Sequence, residues 1–170
     1  MGENGYRGVQ RVKKEQYNIR QITPDEVGEA LELAMEVFMQ FEAPGYKPQG
    51  VETFRKDIIE NAEFIDKCRK GTCPIYAAFN EDKIIGIIGM RNESHINLVF
   101  TKSEYHRKGI ATSIFGYLLS EVKKNSPQVK EITLNSSPYG KSFYLHLGFV
   151  PLLEEQEIDG IRFTPMKYVI

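Results

Sequence analysis

The hydrophobic pattern changes period partway along the chain, and that change limits the possible folds more than any other feature. Val27, Ala30, Leu31, Ala34, Phe38 and Phe41 recur at helical spacing, as do Val51, Phe54, Ile58, Ala62 and Ile65. From Ile75 onward the apolar residues gather instead into short runs, Ile75–Phe79 and Lys83–Met90, joined by the polar turn Asn80-Glu81-Asp82. These read as a β-hairpin, with His95–Thr101 as the next strand. Two helices with one apolar stripe each must bury it on a partner, and the strands that follow supply a sheet.

The remaining elements follow from local signals. Tyr17–Ile22 alternates and reads as an opening strand. Thr23-Pro24-Asp25-Glu26 spells a helix start, with Thr23 as cap, Pro24 in the first helical position and Glu26 completing a capping box. Ala43-Pro44-Gly45 ends that helix, and the second ends before Gly71. A third helix is expected from about Gly109 to Lys124, where Ile110, Ile114, Leu118 and Val122 fall on every fourth residue. Glu131–Asn135 reads as a strand, and Ser137-Pro138 opens a short helix that stops at Gly148. Phe149–Ile158 and Ile161–Ile170 form a closing hairpin around Asp159-Gly160, a pair suited to a type I′ turn. The order β α α β β β α β α β β predicts an α+β fold with a mixed central sheet flanked by helices. Residues 1–16 lack periodicity and hold three glycines, so they read as a flexible extension before a single domain at 17–170.

Composition narrows the class. The chain has 170 residues, 41% hydrophobic and 26% charged, which fits one domain with a real core rather than disorder. No apolar run reaches the roughly 18 residues of a membrane span, and the first residues carry no secretory pattern, so a cytoplasmic protein free of membrane contact is expected. Cys68 and Cys73 are too few for a disulfide framework or a zinc site, so no metal is expected. Basic residues do not cluster as nucleic-acid binding requires. Residues 17–72 carry eleven acidic against seven basic side chains, and residues 73–147 carry nine basic against six acidic. That split suits a cationic substrate near the first helices and an anionic ligand on the middle of the chain.

The most informative stretch is His106-Arg107-Lys108-Gly109-Ile110-Ala111, between a strand and a helix. A helix start leaves several backbone N–H groups without partners, and their partial positive charge suits a pyrophosphate. Arg107 and Lys108 add full charges, Gly109 permits close approach, and Ala111 keeps the next turn small. Asn135 to Ser142 ends in Gly-Lys-Ser like half a P-loop, but Asn135 stands where that loop needs glycine and Pro138 removes an amide. Nucleotide hydrolysis does not fit.

With these stretches in view, the chain resembles the GNAT superfamily of N-acetyltransferases. The family signature Gln/Arg-x-x-Gly-x-Gly/Ala falls on His106 to Ala111, with His106 in place of the usual Gln or Arg. Its Tyr-x-x-x-Gly-Phe feature is matched by Tyr144-Leu145-His146-Leu147-Gly148-Phe149. The resemblance implies acetyl-CoA as cosubstrate, bound in a splayed gap between strands 95–101 and 131–135. Val99, Phe100 and Thr101 would pair with the pantetheine, Arg107 to Ala111 would cradle the pyrophosphate, and Asn135, Phe143 and Tyr144 would border the far side. It also implies an amide near Leu98–Val99, where family strands bulge, as the donor to the developing oxyanion.

An amine that attacks a thioester must first lose a proton, and the thiolate that leaves needs one. The family places the acid at Tyr144. His95, fourteen residues before Gly109, stands where some members hold a base; Glu36, Glu42 and Glu93 are alternatives acting through water. Phe41, Glu42 and Tyr46 are expected to contact the substrate, a small-molecule or peptide amine. A non-catalytic acyl-CoA-binding module on the same fold is the other reading, and the terminal hairpin could offer an edge for a homodimer.

Overall fold

In the computed structural model, which describes residues 17–170, the alternating runs become one eight-stranded sheet. The extension read into residues 1–16 lies outside the described residues. The strands are β1 (Asn18–Gln21), β2 (Ile75–Asn80), β3 (Lys83–Arg91), β4 (His95–Thr101), β5 (Glu131–Ser136), β6 (Val150–Pro151), β7 (Gln156–Ile158) and β8 (Ile161–Val169). They lie in the order β1-β2-β3-β4-β5-β8-β6, with β7 paired to β8. Every pairing is antiparallel except β4 with β5.

Strand alternation divides the core between the two faces of the sheet. Ile75, Ala77 and Phe79 of β2 pack with α1 (Val27–Val37), α2 (Pro48–Phe54) and α3 (Ala62–Lys70). Tyr76 and Ala78, their neighbours in sequence, pack with α4 (Ile110–Asn125) and α5 (Lys141–Leu147). The mixed-sheet α+β reading therefore holds.

Two element readings need correction. The second apolar stripe is two helices, because α2 runs into a wide π turn at Arg55–Ile59 and the chain restarts at Asn61. The Asn61 side chain accepts the Phe64 N–H at 3.0 Å, an N-cap hidden inside an unbroken apolar pattern. The closing strand is also interrupted: β6 holds only two residues, and β7 resumes at Gln156. Asp159 (φ 50°) and Gly160 (φ 78°) both take the left-handed conformation a type I′ turn demands.

That turn is pressed onto the start of α2. The Asp159 carbonyl accepts the Thr53 hydroxyl at 2.7 Å, and Tyr46 donates to the Arg162 carbonyl at 3.3 Å. Gly50 is buried there, and a Cβ on it would drive into the Gly160 carbonyl oxygen. Gly50→Ala should therefore lower unfolding stability by about 1–3 kcal/mol. Gly28→Ala on α1, where a Cβ meets nothing within 4 Å, should raise it by about 0.5–1 kcal/mol. Urea unfolding of both variants reads the two opposite signs.

Candidate active site

β4 and β5 pair only at His95↔Thr133 and Ile96↔Leu134. Beyond Ile96 they separate. The register of β4 against β3 slips at the same place, from Met90↔Ile96 to Gly89↔Leu98, so Asn97 is the inserted residue of a bulge. The bulge lies at Asn97, one residue before the Leu98–Val99 position expected. It also turns Leu98 and Phe100 toward the α1 side while Ile96 and Val99 face α4.

The separation opens a cavity of about 710 Å³ at the C-terminal ends of these two strands. Its walls come from four places: Val37 at the end of α1 with Phe41 and Glu42 beyond it; Val99 to Thr101 on β4; the turn into α4; and Tyr139, Gly140, Ser142, Phe143 and Tyr144 around the start of α5.

The turn into α4 has the features that suit an anion. Gly109 sits just before the helix with φ 76°, a left-handed conformation that glycine adopts without strain. A Cβ there would meet nothing within 4 Å. The first hydrogen bond of the helix runs from the Ser113 N–H to the Gly109 carbonyl at 2.9 Å, so the amides before Ser113 have no intrahelical acceptor. Arg107, Gly109, Ile110, Ala111 and Thr112 all line the cavity. These residues fit the pyrophosphate of coenzyme A: amides, a helix N-terminus and an arginine meet at an open surface. His106 Nε2 lies 2.7 Å from the Thr101 carbonyl oxygen, which fixes the entry of the turn against the end of β4.

Two further titratable groups, Glu42 and Tyr144, line the same cavity. After Val37 the first helix widens into a π turn, Phe38–Glu42, closed by the Ala43 N–H on the Phe38 carbonyl. Such turns are frequent at functional sites, and this one carries Phe41 and Glu42 to the cavity. Burial pushes the Glu42 carboxyl up to about 7, opposed by the hydrogen bond from the Ser137 hydroxyl. Burial also raises the Tyr144 hydroxyl, and the nearby Glu42 and Tyr46 add to the shift. The Tyr144 ring lies against Gly140, where a Cβ would come 2.9 Å from its Cε2 atom. Phe41 sits between His106 and Tyr139, with ring centres 4.8 and 5.3 Å away.

Of the residues singled out in the sequence, Phe41, Glu42, Val99, Phe100, Thr101, His106, Arg107, Gly109, Ile110, Ala111, Phe143 and Tyr144 line this cavity. Six others do not line it, among them the alternative bases Glu36 on α1 and Glu93, which accepts a hydrogen bond from Gln128 at 3.0 Å. His95 stands at the closed end of the gap with Nδ1 2.8 Å from Thr133 Oγ1, and burial with Arg91 nearby lowers its pKa to about 4. Asn135 is exposed on β5 opposite Pro165. Lys108 points its ammonium over the Tyr105 ring, 5.4 Å from its centre. Tyr46 packs beside Phe38 and the β7–β8 hairpin. Sequence reasoning missed Tyr105, Tyr139 and Ser137. Only their places beside the two motifs could have signalled them.

Among the described residues, no group of three or more His, Cys, Asp or Glu is placed to hold a metal ion, and no helix is long and apolar enough to cross a membrane.

A family model described as an acetyltransferase (GNAT) domain matches residues 42–170. Among solved structures, a GCN5-related N-acetyltransferase from Rhodopseudomonas palustris superimposes with a TM-score of 0.77 at 14% identity, covering 92% of this chain and 97% of that one. The PaiA N-acetyltransferase of Thermoplasma acidophilum, solved with coenzyme A, gives 0.71 at 20% identity over 92% and 100%. A ribosomal-protein-alanine N-acetyltransferase from Brucella melitensis gives 0.64 at 15% over 90% and 99%. No curated protein sequence matches significantly.

Proposed function

We propose that this chain, which belongs to the GNAT acetyltransferase family, moves an acetyl group from acetyl-CoA to a primary amine of a small molecule or peptide. The observation that carries this reading is the pairing of Glu42 and Tyr144 in one cavity with the unpaired amides of the turn into α4. When bound, acetyl-CoA supplies the thioester carbonyl that the amine attacks and the thiolate that leaves. The α4 amides and Arg107 hold the pyrophosphate, and the splayed edge of β4 at Val99 to Thr101 aligns the pantetheine along the gap.

Glu42 then takes the first proton from the ammonium. A carboxyl that titrates near 7 is a far better base than an ordinary one, and it still ionises at working pH. The N–C bond forms, the C–S bond breaks, and Tyr144 gives its proton to the sulfur. The second proton on the new amide nitrogen restores the phenol, so the balance closes. Burial that keeps Tyr144 protonated is what a proton donor needs. His95 is assigned no proton transfer, because it lies outside the cavity and holds its proton weakly.

The direct test follows thiol release from acetyl-CoA with polyamines, amino acids and N-terminal peptides. Acetyl transfer to at least one amine is expected, and acetyl-CoA binding without turnover on any would favour the non-catalytic reading. Tyr144→Phe should lower kcat about 10²-fold while leaving acetyl-CoA affinity nearly intact, since the ring and its packing stay. Equal rates would return Tyr144 to a packing role.

A further inference from the structure

The loop between β5 and α5 places one buried hydroxyl where it touches both halves of the chemistry. The Ser137 oxygen accepts the Gly140 N–H at 3.1 Å, and it lies 3.3 Å from Oε1 of Glu42. A lone pair of the oxygen is thus engaged by a backbone amide, and its hydrogen is left to point at the carboxylate. An ionised carboxylate can only accept, so this hydroxyl is held as a donor to the charged form of Glu42. The same turn carries the other group. The Gly140 carbonyl accepts the Tyr144 N–H at 3.2 Å, so Ser137 joins Glu42 to the first turn of the helix that bears Tyr144.

We propose that Ser137 is a positioning residue for acetyl transfer: its hydroxyl aims the Glu42 carboxylate and keeps it charged for the arriving ammonium. This rests on Glu42 as the base. Burial opposes ionisation of that carboxyl, and the Ser137 hydroxyl is the group that offsets it. The other titratable groups around Glu42 are Tyr144 on α5 and Tyr46 after the first helix, both shifted upward and therefore neutral near pH 7. Arg107 and His106 line the same cavity from the turn into α4. The Glu42→Gln variant is therefore what assigns a bend to Glu42 rather than to another group of the cavity.

The test is the pH profile of kcat/KM for the full chain, with an amine acceptor whose own pKa is near 10. Wild type, Ser137→Ala, Ser137→Thr and Glu42→Gln are compared. The Glu42 carboxyl is also titrated by ¹³C NMR without substrate. Ser137→Ala should move both the bend and the carboxyl titration up by about one pH unit, costing about fivefold at pH 7 and less above pH 9. Ser137→Thr keeps a hydroxyl and should keep the bend. A bend that stays in place in Ser137→Ala but vanishes in Glu42→Gln overturns the role of Ser137 and spares Glu42. A bend that survives Glu42→Gln belongs to another group, and it overturns both assignments. Should the alanine variant fail to fold, Ser137→Cys, a weaker donor, must still shift the bend upward, and an unmoved bend counts against the proposal.

Discussion

Glu42→Gln should lower kcat/KM by about 10²–10⁴-fold at pH 8 and yet leave the protein harder to unfold. The activity loss follows from removing the base while keeping the size and most of the hydrogen bonding of the side chain. The rate that remains should climb only as the amine deprotonates itself, far above neutrality. His95→Gln, by contrast, should keep the bend near pH 7. The stability gain follows from the direction of the pKa shift. Glu42 rises from 4.5 to about 7 on folding, so between those values the native state binds more protons than the unfolded chain. Stability then falls as pH rises through that window, and the full cost stands above pH 7. At 1.36 kcal/mol per unit it is on the order of 3 kcal/mol. Glutamine never ionises and escapes it. The variant should melt near the wild-type temperature at pH 4.5 and above it at pH 8. A Gln variant that melts lower at pH 8, or turns over at the wild-type rate, removes Glu42 from the role of buried base.

Such a residue was only partly visible in the sequence. Glu42 could be set among possible bases because it follows the first apolar stripe, but Glu36 and Glu93 looked equivalent. What separates it is the π turn at Phe38–Glu42, which widens the helix by one residue and leaves no mark in the hydrophobic period. Long-range geometry was hidden for the same reason. Ser137 meets Glu42 across 95 positions of chain, and no local pattern records that meeting. His95 shows the opposite case: a residue type and a spacing that suit a base, placed where β4 and β5 are still paired. Elements written in local chemistry were legible. The run from His95 to Thr101 is a strand with the expected ends, Gly71 and Gly148 take left-handed caps, and Asp159-Gly160 forms its turn. The break at Asn61 was not, because an apolar stripe that continues across it outweighs one capping side chain.

The anion cradle is the part of the site read most directly from the sequence, and Gly109→Val is its sharpest test. In the native turn Gly109 has φ 76° and ψ 17°, a conformation that costs a non-glycine residue roughly 1–2 kcal/mol and is worse for a β-branched one. Beyond its chain neighbours no protein atom lies within 4 Å of the added Cβ, so apart from that backbone strain the obstruction is to what enters the cavity. Wild-type protein in acetyl-CoA at a hundredfold excess over Kd should gain about 2.7 kcal/mol, since the ligand binds only the folded state. For a domain of this size that is a rise in Tm of about 5–10 °C. Gly109→Val should lose the whole rise, because the valine displaces the backbone and fills the approach of the pyrophosphate. Gly109→Asn separates the two causes. Asparagine tolerates the left-handed conformation, so the turn should keep its shape and the fold its stability while the side chain still intrudes. If the cradle works through close backbone approach, the Asn variant melts like wild type without ligand and gains little with it. A full ligand-induced rise in both variants would mean that coenzyme A is held elsewhere, and the α4 turn would then be only a helix entry.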